Sequence, residues 1–337
     1  MLEHGGRLLA ASLRYGIPSS EWLDLSTGIN PLGWPVPPLP PDCWQRLPQD
    51  DDGLEAEAAC YYGSDGLLPV PGSQAAIQLL PGLFPSASVA CLVPIYNEHP
   101  LAWAKAGHRV LALEYATLAQ ALATDTPVVV LCNPNNPTAE LHSRSAVLAA
   151  ADELQRRGGW LVVDEAFTDP QPENSVAALA GSAAAPNLIV LRSLGKFFGL
   201  AGARVGFVFA APEILASLRE AVGPWALAGP SREVAKRALA DRAWQTETRQ
   251  ELSALSRRLQ QLLAPLGHVA ATQLFATVTT NHAHLLVKHF GERGILVRHY
   301  DPQPLLRFGL PASDATWKRL AAAISEWRWA QRGVVSS

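Results

Sequence analysis

The sequence predicts an α/β protein: a mainly parallel sheet of seven strands between helices, then a smaller α+β domain. Three observations lead there. Seven short runs are almost continuously apolar, as strands covered on both faces are. Helical stretches separate them, the rhythm of a parallel sheet with crossover helices. From about residue 212 that rhythm gives way to long helical stretches and a short set of strands.

In chain order, PLGWPVPPLPP (31–41) carries six prolines and is expected as an extended connector. The strand runs are LLPV (67–70), VACLVP (89–94), RVLAL (109–113), PVVVLC (127–132), WLVVDE (160–165), NLIVLRS (187–193) and VGFVFA (205–210). Between them, SQAAIQLL (73–80) and SRSAVLAAADELQRRG (143–158) have helical patterning. Further on, helices are expected over 212–222 and 231–263, strands near 273–280, 294–298 and 304–309, and a last helix over about 313–331. The expected domains are an N-terminal arm and connector (1–40), a large domain (41–222) and a small C-terminal domain (223–337).

Hydrophobic content of 48% and charged content of 17% describe a globular protein with a sizeable core. A formal net charge of −3 offers no basic footprint, so neither nucleic acid nor an anionic membrane is expected as a partner. Cys43, Cys60, Cys91 and Cys132 form no CxxC pair, which argues against a metal site and a disulfide framework. No apolar run is long enough to span a membrane, and MLEHGGRLLAASLRYG lacks the parts of a signal peptide. A cytoplasmic protein is the expectation.

Ligand chemistry in such sheets gathers at the carboxyl ends of strands, and the polar residues there are distinctive. Gly72-Ser73-Gln74 follows LLPV and opens a helix, where glycine permits close approach and free N–H groups suit a phosphate. Tyr96 follows VACLVP and can stack on a flat ring or pack in the core. NPNNPT (133–138) makes a rigid turn after PVVVLC, with amides at the sheet edge. Asp164 ends WLVVDE and, beside so much apolar surface, needs a cation or donor; the plain alternative, a surface position just beyond the strand, suits Glu165. The stretch 191–207, LRSLGKFFGLAGARVGF, holds Lys196, one of only five lysines. Unlike arginine, a desolvated lysine can lose its proton and become a nucleophile. Ser193 and Arg204 beside it are suitable anion ligands.

Each of these residues alone has an ordinary structural reading. As an ordered set, GSQ (72–74), Tyr96, NPNNPT, DEAF (164–167), Ser193, Lys196 and Arg204 resemble fold-type-I pyridoxal-phosphate (PLP) enzymes of the class I/II aminotransferase superfamily. The resemblance implies a large PLP-binding domain, a homodimer, and PLP joined to Lys196 as a Schiff base. It places Asp164 at the pyridinium nitrogen, Asn136 at the ring hydroxyl and Tyr96 against the ring. Gly72, Ser73, Gln74, Ser193 and Arg204 fall at the cofactor phosphate, and Arg307, in LLRFGLP, at the substrate carboxylate.

HGG (4–6), STGINPLG (26–33), DEAFTDPQPENS (164–175) and the stretch around Lys196 are most similar to the threonine-phosphate decarboxylases of cobalamin biosynthesis. That resemblance implies loss of CO2 from a phosphorylated amino acid, with His4, Ile29, Asn136, Arg298 and Arg307 at the substrate. The alternative is an aminotransferase of the histidinol-phosphate type, which shares the same frame. Three positions depart from the wider pattern. Phe167 replaces a tyrosine that bonds the ring hydroxyl, and Ala139 replaces the glycine ending the NPTG motif. Leu47 stands where relatives often carry a tyrosine reaching the neighbouring subunit's cofactor phosphate.

Overall fold

A computed structural model describes residues 4–335. Its thirteen strands are β1 (Leu23–Asp24), β2 (Leu67–Val70), β3 (Ser88–Val93), β4 (Arg109–Glu114), β5 (Val128–Cys132), β6 (Trp160–Asp164), β7 (Leu188–Ser193), β8 (Gly206–Phe209), β9 (His268–Ala271), β10 (Phe275–Thr279), β11 (Ile295–Leu296), β12 (Arg298–His299) and β13 (Leu305–Gly309). Seven of them form one sheet in the order β2-β8-β7-β6-β5-β3-β4. The neighbours from β7 to β4 are parallel, whereas β8 runs antiparallel to both β2 and β7.

The burial follows the sequence pattern. β5 and β7 are buried at every position, while edge strand β4 holds only exposed and half-buried residues. Val128, Val129, Val130, Val162 and Val163 are almost wholly buried. Each contributes roughly 1.5–3 kcal/mol of hydrophobic stabilisation relative to an exposed side chain.

The chain packs as two compact units. The large one holds residues 33–136 and 140–246; the small one holds 1–32, 137–139 and 247–337. This differs from the expected boundaries at 40 and 222. Residues 223–246 stay with the large unit because helix Gly229–Ala240 packs on helix Leu54–Tyr62, and buried Arg232 pairs with Asp52 and Glu55 at 2.7 Å each. Residues 1–32 group with the C-terminal portion because β1 pairs in parallel with β11. A four-stranded antiparallel sheet, β12-β13-β10-β9, completes the small unit.

The helix expected over 231–263 is two helices, Gly229–Ala240 and Arg242–Leu263. Asp241 separates them: its carboxylate accepts the Trp244 backbone N–H at 3.1 Å and the Trp34 indole N–H at 3.0 Å. An aspartate that caps the next helix competes with continuing the previous one.

Two backbone positions bear on the site. Ala139 has φ +62°, the left-handed region where glycine is the ordinary occupant. At the start of β8, a Cβ on Gly206 would collide with the Ser73 backbone nitrogen and lie 2.8 Å from the Arg192 carbonyl oxygen. Backbone cannot swing aside as a side-chain tip can. Gly206→Ala is therefore expected to lower stability by about 1–3 kcal/mol. Urea unfolding of the two proteins checks this; an unchanged midpoint would show that the helix start at Ser73 yields freely.

Candidate active site

In the large unit the strand ends bring several of the predicted cofactor residues into contact with one another or with shared neighbours. Gly72 precedes helix Ser73–Leu79 at φ +73°, and a Cβ there would lie 2.6 Å from the Arg204 guanidinium. Arg204 is itself left-handed, at φ +53°. Ser193, the last residue of β7, pairs in register with Gly206, which abuts Ser73. The Tyr96 hydroxyl donates to Gln74 Oε1 at 3.0 Å, and Gln74 Nε2 donates to Glu98 at 3.0 Å. Burial pushes the Tyr96 phenol above its ordinary range, so the ring keeps the proton it donates.

Asp164 is buried, and both of its oxygens are engaged. Oδ1 accepts the Ala166 backbone N–H at 3.0 Å, and Oδ2 lies 2.9 Å from His99 Nε2. His99 is also buried and stands edge-on to Tyr96 at 6.2 Å. The pairing of β5 with β6 sets Cys132 opposite Asp164, and the Cys132 sulfur is bonded by the backbone of Tyr96 and of Asn136. His99, Cys132 and Asp164 offer donor atoms within 4.8 Å of one another. Burial pushes the Cys132 thiol well above its usual range, which keeps it protonated and a poor metal ligand. Lys196, in the short helix Leu194–Phe197, is half-buried with its amine 5.6 Å from the centre of the Phe167 ring.

Behind these residues lies a cluster that the sequence reading did not single out. Glu165 is fully buried, not at the surface, and accepts Arg192 Nη1 at 2.6 Å, Ser175 Oγ at 2.5 Å and the Val176 N–H at 2.8 Å. Arg192 also donates to Asp169, whose carboxylate takes the Tyr61 hydroxyl at 3.0 Å. The Arg192 guanidinium rests 4.9 Å from the Tyr62 ring centre.

The small unit holds the remaining predicted residues. Buried Arg307, on β13, donates from Nη2 to the Ser26 carbonyl oxygen at 2.8 Å. Arg298, on β12, is directly opposite Arg307 in the antiparallel register. Ser26 Oγ accepts the Gly6 N–H at 2.7 Å, and a Cβ on Gly5 would collide with the Ser26 carbonyl oxygen. His4 is exposed at the start of this segment and lines a cavity of about 230 Å³ with Arg7, Arg14, Arg298 and His299. Ile29 is half-buried in the irregular segment after β1.

Against this geometry, residues 44–324 match the family described as aminotransferase class I and II. The chain belongs to that family. It is 48% identical, over 96% of its length and 97% of the relative's, to a threonine-phosphate decarboxylase of Pseudomonas aeruginosa. It is 40% identical to one of a Sinorhizobium species over 96% and 97% of the two chains. A crystal structure of histidinol-phosphate aminotransferase from Sinorhizobium meliloti, in complex with pyridoxal-5'-phosphate, shares the fold. Its TM-score is 0.82, with 21% identity over 97% of this chain and 98% of that one.

The cofactor of this class I and II aminotransferase family member is PLP, and the donor set suits it. A side-chain-free Gly72 beside Arg204 leaves room for a phosphate against backbone N–H groups. A buried carboxylate answers a protonated ring nitrogen, and a half-buried amine can join an aldehyde carbon. His99, buried against Asp164, is the residue of the candidate site that sequence reasoning did not single out. Its one signal is its place three residues after Tyr96, where the His99 N–H closes a turn on the Tyr96 carbonyl oxygen at 3.0 Å just as a helix begins.

The Arg192 cluster yields a prediction with a definite sign. Arg192→Met leaves the two carboxylates buried without their cation and is expected to cost about 3–5 kcal/mol near neutral pH. Burial already raises the Glu165 pKa from 4.5, so the native state binds its proton more readily than the unfolded chain. Stability therefore falls as pH rises through the window above 4.5. Without Arg192 that window extends upward, and the deficit of the variant should shrink toward about pH 5. Urea unfolding across pH reads it; a pH-independent deficit would remove Glu165 as the cause.

Proposed function

We propose that the chain decarboxylates L-threonine O-3-phosphate to (R)-1-amino-2-propanol phosphate and CO2, in the aminopropanol arm of cobalamin biosynthesis. The observation that carries this reading is the 48% identity, across nearly both full lengths, to a threonine-phosphate decarboxylase. The opposed Arg298 and Arg307 support it, because two adjacent guanidinium groups suit a substrate with both a phosphate and a carboxylate.

In this reading Lys196 holds the cofactor, with Asp164 at its ring nitrogen and His99 keeping that carboxylate oriented. Asn136 takes the ring hydroxyl and Tyr96 lies against the ring. Gly72, Ser73, Gln74, Ser193 and Arg204 receive the cofactor phosphate. When bound, PLP supplies the sink for the electron pair left at the substrate Cα. The Cα–carboxylate bond breaks, CO2 leaves, and a proton takes its place; Lys196 Nζ, beside the Phe167 ring, holds that proton. Arg307 binds the substrate carboxylate and Arg298 the phosphate. His4 adds a further anion contact, and Ile29 and Asn136 border the substrate. Phe167 has no hydroxyl to compete for the ring oxygen, which leaves that contact to Asn136.

A homodimer is the proposed assembly. Exposed Trp44 and Leu47, at 70% and 65%, support an apolar surface that a second copy covers. No described helix is long and apolar enough to cross a membrane. All four cysteines are free thiols, which supports a cytoplasmic location.

Incubating the holoenzyme with L-threonine O-3-phosphate and no amino acceptor should release CO2 stoichiometrically. Product formation that requires an added 2-oxo acid, without CO2, would establish an aminotransferase instead. Lys196→Ala should lose the visible absorbance of the lysine-bound cofactor and at least about 1,000-fold in kcat. A borohydride-reducible lysine adduct that survives in the variant would move the attachment point elsewhere.

A further inference from the structure

The two proposed anion-binding arginines share an aromatic surface. β12 and β13 set Arg298 directly opposite Arg307. Like charges directly opposed across a strand pair repel one another, so this register requires compensation. The Arg298 guanidinium carbon lies 5.2 Å from the centre of the Tyr300 ring, and that of Arg307 lies 5.8 Å from the same centre. Arg307 also rests 5.3 Å from the ring of Phe275, which is 1% exposed.

The backbone explains how one ring reaches both cations. Residues two apart on a strand project to the same face, so Tyr300 follows Arg298 on its side. The strand pairing continues through Tyr300, whose N–H donates to the Leu305 carbonyl oxygen at 3.1 Å. Tyr300 is thus the diagonal neighbour of Arg307, within reach of an aromatic side chain. Aromatic faces attract guanidinium groups within about 6 Å, and more strongly where water is excluded. Arg307 is additionally fixed by the Ser26 carbonyl oxygen, whereas Arg298 is half-buried on a two-residue strand.

We propose that Tyr300 is a positioning residue for substrate binding: its ring face holds Arg298 beside Arg307, so that two like charges stand ready for one anionic substrate. The proposal rests on reading these arginines as the substrate's anion contacts. It assigns the work to the ring and not to the hydroxyl.

The test compares Tyr300→Leu with Tyr300→Phe in the holoenzyme. Two quantities are read: steady-state kinetics with L-threonine O-3-phosphate, and inorganic phosphate affinity by calorimetry. Tyr300→Leu should raise KM and the phosphate Kd about ten-fold and leave kcat within about two-fold. Tyr300→Phe should restore both constants. An unchanged KM in the leucine variant, or a phenylalanine variant as impaired as leucine, overturns the proposal. Tyr300→Met, which keeps apolar bulk without a π face, replaces the leucine variant if that protein does not fold. Arg298→Ala and Arg307→Ala separate the two layers of the argument. If neither weakens phosphate binding, the anion reading itself fails. If either weakens it and Tyr300→Leu does not, only the role of Tyr300 fails.

Discussion

Arg192 sits between two buried carboxylates, directly before Ser193 in the chain, while Glu165 directly follows Asp164. That adjacency links the charge cluster to the chemistry. Successive side chains near a strand end point to opposite faces, so Asp164 and Ser193 can serve one side while Glu165 and Arg192 lock the other. The same guanidinium reaches Asp169, so the segment carrying Phe167 is held at both of its ends. A planar fork can take two carboxylates at once, which an ammonium does less well in a dry site. Arg192 thus adds to the strand pairing of Asp164 and Ser193 a charged tie to the segment that carries Phe167.

The candidate site was legible in the sequence where a residue type was costly to keep without a reason. Lys196 in an apolar run and Asp164 at the end of a buried strand are of that kind. Apart from edge strand β4, the strands of the large sheet were legible because burial on both faces leaves an unbroken apolar signature. His99 was not, since NEHP at the start of a helix reads as solvated surface. The pairing of Arg192 with Glu165 and Asp169 was hidden because it joins residues far apart in the chain. The break at Asp241 was missed because part of what holds its capping carboxylate, the Trp34 indole, comes from the proline-rich connector.

The small unit uses a different economy. The Ser26 residue ties together several parts of the chain: its hydroxyl donates to Asp24 and accepts from Gly6, and its carbonyl accepts from Arg307. Gly5 must be glycine to pass that carbonyl. Arg307 rests against aromatic faces and the Ser26 carbonyl oxygen, whereas Arg293 in the same unit pairs with Glu326 at 2.6 Å. A carbonyl oxygen or a ring face orients a guanidinium without carrying a formal charge of its own.

Ala139 shows where the turn before it draws its shape. Glycine would adopt φ +62° without cost, but alanine is held there by its surroundings. The Thr277 hydroxyl, buried on β10, donates to the Pro137 carbonyl oxygen two residues earlier. The constraint has thus moved out of the turn and into a distant strand. Glycine at 139 would take the same backbone without that cost, so the turn would then lean less on the Thr277 hydroxyl.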